Sequence, residues 1–251
     1  MFSDWIYTVS RRKKSRLVLA LDLESTGSSR LLRRAKDLIG SLEQEICAVK
    51  VNQHLILPLG LFDGVRSIVN VSHSVDIPTI ADCKIADIGN TNRIIAENYF
   101  RCGFDAVTAS PFVGWKEGLD DVFKLRGRRG NGVLLVVYLS SKGAKHAYER
   151  EIVNRSGSMM RQYEMFARMA SEREADGVVV GATRPETIRR VNDILKSKIP
   201  IYSPGVGVQG GKPNSAVKSG ATYLIVGRTI VTAARPLEAA RSLRKAAGWS
   251  S

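Results

Sequence analysis

Asp82, Lys84 and Asp87 stand two and three positions apart in the stretch Ile80-Ala81-Asp82-Cys83-Lys84-Ile85-Ala86-Asp87-Ile88-Gly89-Asn90-Thr91. A carboxylate held against an ammonium can stabilise developing charge and move a proton. In a strand successive side chains alternate faces, so Asp82 and Lys84 share one face, with Ile80 behind them. If that face lines a barrel, desolvating the pair costs several kcal/mol unless further charges and hydrogen bonds surround it. The same pattern also suits a surface ion pair at a strand end. The other strands decide between the two.

A chain of 251 residues, 44% hydrophobic and 25% charged, is large enough for a substantial core. That length suits one α/β barrel as well as two smaller domains. Cys47, Cys83 and Cys102 have no metal-ligand spacing and cannot all pair, which fits a reducing compartment. With only His54, His73 and His146, a histidine-based metal site or triad is not expected. The N-terminus has no signal-peptide pattern and no long apolar run suggests a membrane span, so the expected location is cytoplasmic. The net charge of +14 is concentrated in Arg11-Arg12-Lys13-Lys14 with Arg16, and in Arg126 with Arg128-Arg129. Neither cluster is interleaved with aromatic residues as a nucleic-acid platform would be. A positive field also attracts a phosphorylated small molecule.

Hydrophobic patterning supplies the scaffold. Residues 2–9 read as a short amphipathic helix, followed by a basic lead-in over 10–16. Leu17–Asp22 is a nearly continuous apolar strand of the kind buried on both faces in a parallel sheet. A helix with Leu31, Ala35, Leu38 and Leu42 follows, then a strand over Ile46–Val51 carrying Lys50. The next helix has Leu61, Val65, Ile68 and Val69. The charged stretch forms the third strand, and Ile94, Ile95, Tyr99 and Phe100 mark another helix.

The alternation continues with strands Phe104–Ala109, Gly132–Leu139, Gly177–Val180, Ile199–Tyr202 and Thr222–Val226. A helix around Leu119, Val122 and Phe123 ends in a polar turn over Arg126–Gly130. A long loop over Ser140–Ser158 precedes a helix bearing Met160, Tyr163, Phe166 and Ala170. Thr183 and Glu186 have capping-box spacing with Pro185 in the first turn, and the last helix spans Pro236–Ala247. Eight strands alternating with helices predict a single-domain (β/α)8 TIM barrel over 1–251; a doubly wound open sheet is the alternative.

Barrel chemistry sits at the carboxyl ends of the strands. Asp22, Lys50, Asp82, Lys84, Ser140, Pro204 and Arg228 all fall there, which favours the enclosed reading of the Asp82–Lys84 pair. Barrels often hold phosphate after their last two strands. Here those loops read Ser203-Pro204-Gly205-Val206-Gly207-Val208-Gln209-Gly210-Gly211 and Val226-Gly227-Arg228. Glycines let backbone N–H groups approach an anion, and an arginine grips it through two hydrogen bonds.

From Leu17 to about Arg228 the chain resembles the orotidine 5′-monophosphate decarboxylase family in its archaeal form. The resemblance rests on Leu-Ala-Leu-Asp at 19–22, Val-Lys at 49–50, Asp-Cys-Lys-Ile-Ala-Asp-Ile-Gly-Asn-Thr at 82–91 and Thr-Arg-Pro-Glu at 183–186, together with the two phosphate-type loops. The Ser140-Ser141-Lys142-Gly143 segment and the basic N-terminus depart from the family pattern. The resemblance implies decarboxylation of orotidine 5′-monophosphate to UMP without metal or organic cofactor. It implies a charge network of Lys50, Asp82, Lys84 and Asp87, with Lys84 protonating C6. Asp22 and Lys50 would bind ribose hydroxyls, and Asp87 and Thr91 would do so from the other subunit of a homodimer. Ser140 would address the pyrimidine edge, Gln209 would link base and phosphate, and Gly227 and Arg228 would hold the phosphate, with Pro204 among the substrate-binding residues.

Three other possibilities remain at this level. A magnesium-dependent sugar-phosphate aldolase or decarboxylase of the same suprafamily shares the Asp-x-Lys-x-x-Asp pattern, but the resemblance places a glutamate metal ligand where Lys50 stands, and an ammonium cannot ligate a cation. A non-enzymatic basic barrel binding nucleic acid explains the charge and not the tetrad. Asp87 could also cap its own helix.

Overall fold

The eight apolar runs close into one parallel barrel. The computed structural model describes residues 1–24, 27–153 and 157–248. Around the barrel the order is β1 (Leu17–Ala20), β10 (Tyr223–Val226), β9 (Ile201–Pro204), β8 (Gly177–Val180), β5 (Gly132–Tyr138), β4 (Ala106–Ala109), β3 (Thr79–Ile85) and β2 (Ala48–Val51), which returns to β1. The two strands missing from that circuit, β6 (Glu151–Val153) and β7 (Met159–Arg161), form a small antiparallel hairpin.

Alternation along each strand sorts the side chains into two cores. Val18, Ala20, Ala48, Ile80, Ala106, Leu134, Val136, Val179 and Ile225 fill the barrel interior. Leu17, Leu19, Val49, Val51, Ala81, Val107, Val133 and Leu135 face outward and pack with the surrounding helices. Lys50 and Asp82 have the inward parity of Ala48 and Ile80, so the fold itself directs them to the barrel mouth.

The opposite end is closed by α1 (Phe2–Lys13), whose Phe2, Ile6 and Val9 join the interior cluster. A Cβ on Gly132 would lie 2.5 Å from the Phe2 ring, so that glycine makes room for the plug. The helix extends beyond the expected 2–9. Arg11, Arg12 and Lys13 form its last turn, where cations complement the helix dipole, and Lys14 ends it in the left-handed region. Lys13 Nζ donates to the Glu43 carbonyl at 2.6 Å. Buried Glu45 pairs with Arg241 and Arg244 of α12 (Pro236–Ala246) at 3.2 and 3.1 Å, tying the last helix to the same end.

Four local expectations are corrected. The Ser140–Ser158 segment, of which 154–156 lie outside the described residues, contains α7 (Ala144–Tyr148) and β6; its hairpin partner β7 takes Met160 away from the following helix, α8 (Gln162–Glu172). The expected turn at Arg126–Gly130 is instead the last turn of α6 (Asp120–Arg129) and its glycine cap. At α9 (Pro185–Leu195), Pro185 begins the helix and Arg184 holds the N-cap position, so Thr183 stands one residue outside it and no side chain caps the helix; Glu186 pairs with Arg189 at 2.8 Å. Finally, Gln53–Ser74 is a continuous 22-residue helical run long and apolar enough to cross a membrane by length and composition. Here Leu55, Ile56, Leu59, Val65, Ile68 and Val69 pack into the outer core, and a π-helical turn over Gly60–Val65 divides α3 (Gln53–Leu59) from α4 (Arg66–Ser74).

Candidate active site

At the end of β3 the strand departs from regular pairing. Its register against β4 shifts between Ala81 and Ile85, and Lys84 has φ 46°, a left-handed conformation uncommon outside glycine. The Lys84 N–H donates to Thr108 Oγ1 on β4 at 2.9 Å, and Thr108 donates to Asp82 Oδ1 at 3.1 Å. Lys84 Nζ reaches the same Oδ1 at 2.7 Å, while Lys50 Nζ donates to Oδ2. Asp82 and Lys84 therefore meet as strand alternation predicts, although through a bulge.

The Asp82 side chain is 13% exposed and Lys50 8%, against 46% for Lys84. Burial alone would raise the Asp82 carboxyl. The Lys50 and Lys84 ammoniums outweigh it and hold the group well below the usual carboxylate range. Asp82 therefore stays ionised at neutral pH. Its contribution to stability is present above about pH 4, the ordinary carboxyl value, and is lost as pH falls through the lower folded value. Cys83 lies between these charges in sequence. Burial, with the Asp82 charge second, pushes its thiol up to about 12, which leaves it a poor nucleophile.

Neighbouring strand ends complete the mouth. Asn52 donates to Asp22 Oδ1 at 2.6 Å, while its own Oδ1 accepts the His54 N–H at 2.9 Å and starts α3. A Cβ on Gly227 would lie 2.1 Å from Asp22 Oδ2, so the carboxylate rests against bare backbone. Ser140 packs between two glycines: Cβ atoms on Gly181 and Gly205 would lie 2.8 and 3.2 Å from its Cα and Cβ. The loop after β9 folds on itself through Gly207 N–H to Gly211 O at 2.9 Å and Gly211 N–H to Gly205 O at 3.0 Å. Thr229 fastens it to the β10 side, accepting the Val208 N–H at 3.1 Å and donating to Val206 O at 3.2 Å. Arg228 opens the short helix α11 (Arg228–Val231), and its guanidinium is exposed and has no partner among the described residues.

These parts enclose a cavity of about 420 Å³. Asp22, Lys50, Asp82, Lys84, Ser140, Pro204, Gln209, Gly227 and Arg228 line it, above an apolar floor of Ile80, Leu134, Val136, Val179 and Ile225. Charge sits on one flank, glycine-rich backbone and an arginine on the other. Among the described residues no three His, Cys, Asp or Glu side chains are grouped to hold a metal ion.

Comparison with known proteins matches residues 15–243 to the orotidine 5′-phosphate decarboxylase/HUMPS family. The chain belongs to that family. An orotidine 5′-phosphate decarboxylase of Methanosarcina barkeri is 38% identical over 231 residues, covering 92% of this chain and 94% of the relative. The crystal structure of the Pyrococcus horikoshii orotidine 5′-phosphate decarboxylase, 37% identical, superposes with a TM-score of 0.73 over 92% of this chain and 98% of that one. The Methanocaldococcus jannaschii orotidine 5′-monophosphate decarboxylase complexed with the inhibitor BMP, 26% identical, gives a TM-score of 0.77 over 93% and 99%. The family match begins after α1, so the helix that plugs the barrel lies outside it.

Two expected site residues stand apart from this cavity. Asp87 is exposed, and Thr91 lies on α5 (Gly89–Cys102). The Asp87 backbone is fixed by Asn92, whose Oδ1 accepts its N–H at 2.8 Å and whose Nδ2 donates to its carbonyl at 2.5 Å. Asp87 Oδ1 accepts the adjacent Ile88 N–H at 2.7 Å rather than an amide of the helix's first turn, so it does not cap α5. Sequence reasoning missed Asn52, Thr108 and Thr229. Thr108 had one readable signal: it stands two residues beyond Ala106 and so shares that residue's inward parity.

Proposed function

We propose that this chain decarboxylates orotidine 5′-monophosphate to UMP, the closing step of UMP synthesis, with no metal or organic cofactor. The observation that carries the reading is Asp82, desolvated and ionised between the ammoniums of Lys50 and Lys84 at the mouth of the barrel. The pyrimidine ring rests on the apolar floor with its edge toward Ser140. Asp22 and Lys50 hold ribose hydroxyls, Gln209 bridges base and phosphate, and Arg228 with the Gly227 backbone grips the phosphate.

Breaking the C6–carboxylate bond leaves its electron pair on C6 and releases CO2. The Lys84 ammonium lies beside that developing charge and then gives C6 its proton, regaining one from solvent. Asp82 faces the substrate carboxylate, and mutual repulsion is relieved as CO2 departs. The phosphate, remote from the bond that breaks, supplies binding energy for folding the 205–211 loop over the site.

Asp87 and Thr91 act in the neighbouring subunit of a homodimer. Support comes from their position outside their own cavity and from the exposed apolar Ile88 and Ile94 beside them. A cytoplasmic enzyme is consistent with three free cysteines. Against the magnesium-dependent aldolase reading, the end of β2 presents Lys50, already bonded to the carboxylate that such a cation would need. The deciding experiment follows purified protein with orotidine 5′-monophosphate, with and without chelator. Equal loss of substrate and gain of UMP in both arms is expected. No turnover, or turnover abolished by chelator, overturns the reading.

A further inference from the structure

Thr108 makes contacts that the proposed chemistry does not yet use. Its hydroxyl is buried, with the residue 2% exposed, and it joins two groups on the adjacent strand: it accepts the backbone N–H of Lys84 at 2.9 Å and donates to Asp82 Oδ1 at 3.1 Å. A threonine is stiff at χ1, so this hydroxyl is a fixed point. Apart from the bond from its ammonium to Asp82 Oδ1 at 2.7 Å, Lys84 has little else to fix it. Its side chain is 46% exposed, its four-carbon stem is flexible, and its backbone lies in a left-handed conformation that ordinary residues seldom adopt. Such a conformation persists only where surrounding contacts over-determine it.

We propose that Thr108 is a positioning residue for proton delivery, setting the Lys84 turn and the Asp82 carboxylate in one geometry; this rests on the decarboxylase reading above. Asp82 Oδ1 is shared between Thr108 and Lys84 Nζ, while Oδ2 belongs to Lys50. The hydroxyl therefore stops the carboxylate from rotating between its two ammoniums. It also holds the N–H whose residue delivers the proton. Neither contact is made to a group that touches ribose or phosphate directly, and Lys50 keeps its own bond to Asp82 Oδ2, so the effect falls chiefly on the chemical step.

The test compares Thr108→Val, which keeps the shape and removes the hydroxyl, with Thr108→Ser, which keeps the hydroxyl. Misplacing a reacting group by about 1 Å costs on the order of 100-fold in rate. Thr108→Val is expected to lower kcat about 30- to 100-fold, with KM and UMP affinity within about threefold of wild type. Thr108→Ser should stay within about threefold of wild type in kcat. Backbone amide exchange at Lys84 should quicken in Thr108→Val and remain slow in Thr108→Ser, at matched thermal stability. Should Thr108→Val fail to fold, Thr108→Ala carries the same comparison. Wild-type kcat in the valine variant, equal losses in valine and serine variants, or unchanged Lys84 exchange overturns the proposal. If wild-type protein turns over no substrate, the decarboxylase reading falls, while Lys84 exchange still decides whether Thr108 holds that turn.

Discussion

The two flanks of the cavity are finished to different degrees. On the β2–β4 flank every charged group already has a protein partner: Lys50 and Lys84 meet Asp82, and Thr108 bonds both the carboxylate and the Lys84 backbone. On the β9–β10 flank Arg228 has no partner among the described residues, and Gln209 is exposed on a loop of glycines. The first flank is organised when the chain folds and has little reorganisation left to make during reaction. On the proposed function the second is completed by the substrate phosphate, so its contacts would appear as binding energy. The two flanks should therefore separate in kinetics, one in kcat and the other mainly in KM.

The strongest test of the charged flank is Lys84→Ala. On the proposed mechanism it removes both the proton donor and the cation beside C6, effects worth roughly 100- to 10,000-fold and 100- to 1,000-fold singly. A kcat loss of at least about 10,000-fold is expected, with UMP binding nearly unchanged because ribose and phosphate contacts remain. Near-normal turnover would remove Lys84 from its role. The same variant tests whether this flank is finished by one chain or two. Asp87→Asn protein should also be nearly inactive. In a mixture that exchanges subunits freely, half the dimers are mixed and each of these has one intact site if Asp87 acts across the interface. About a quarter of wild-type activity should then return. An exchanging mixture that stays inactive would place Asp87 in its own chain's site.

The charged flank was the more legible one in the sequence. Lys50, Asp82 and Lys84 are chemically distinctive, and each stands near the carboxyl end of an apolar strand, where barrel chemistry is placed. The strands themselves were readable because buried parallel strands are almost continuously apolar. What escaped notice were ordinary residues acting through distant partners. Thr108 and Asn52 look like a strand threonine and a turn asparagine until the barrel sets them against Asp82 and Asp22, 26 and 30 residues away. The β6–β7 hairpin was hidden for another reason: its three-residue strands are largely exposed and have no buried face to impose a pattern. The end of α1 is hard to place from sequence because its basic run resembles a solvated lead-in, although cations are favoured in a last helical turn.

On the anion flank, Arg228→Ala should act chiefly on KM. Hydrogen bonds to charged groups contribute about 1.5–3 kcal/mol, so KM should rise roughly 10- to 150-fold, with a smaller fall in kcat from weakened loop closure. Orotidine without its phosphate sharpens the test, because the variant and wild type should then differ little. Unchanged kinetics with the phosphorylated substrate would put the phosphate elsewhere.

The smallest expected effect belongs to Thr229, which ties the loop of the unfinished flank to its base. Its hydroxyl accepts the Val208 N–H and donates to Val206 O, and a Cβ on Gly207 would lie only 2.2 Å from its Oγ1. Gly207 has φ 82°, so the close approach and the backbone conformation both suit glycine. By holding the loop in a compact turn, Thr229 would reduce the ordering that the proposed closure must still impose. Thr229→Val keeps the side-chain shape but removes both hydrogen bonds, each with a net worth of about 0.5–1.5 kcal/mol. Because Val208 is exposed, water replaces part of what is lost. KM for the phosphorylated substrate should therefore rise about three- to tenfold, with kcat changed less. Orotidine, with no phosphate for the loop to close on, should show no such penalty. An equal loss with both substrates would assign Thr229 to the general architecture of the mouth, while a loss confined to kcat would join this loop to the charged flank.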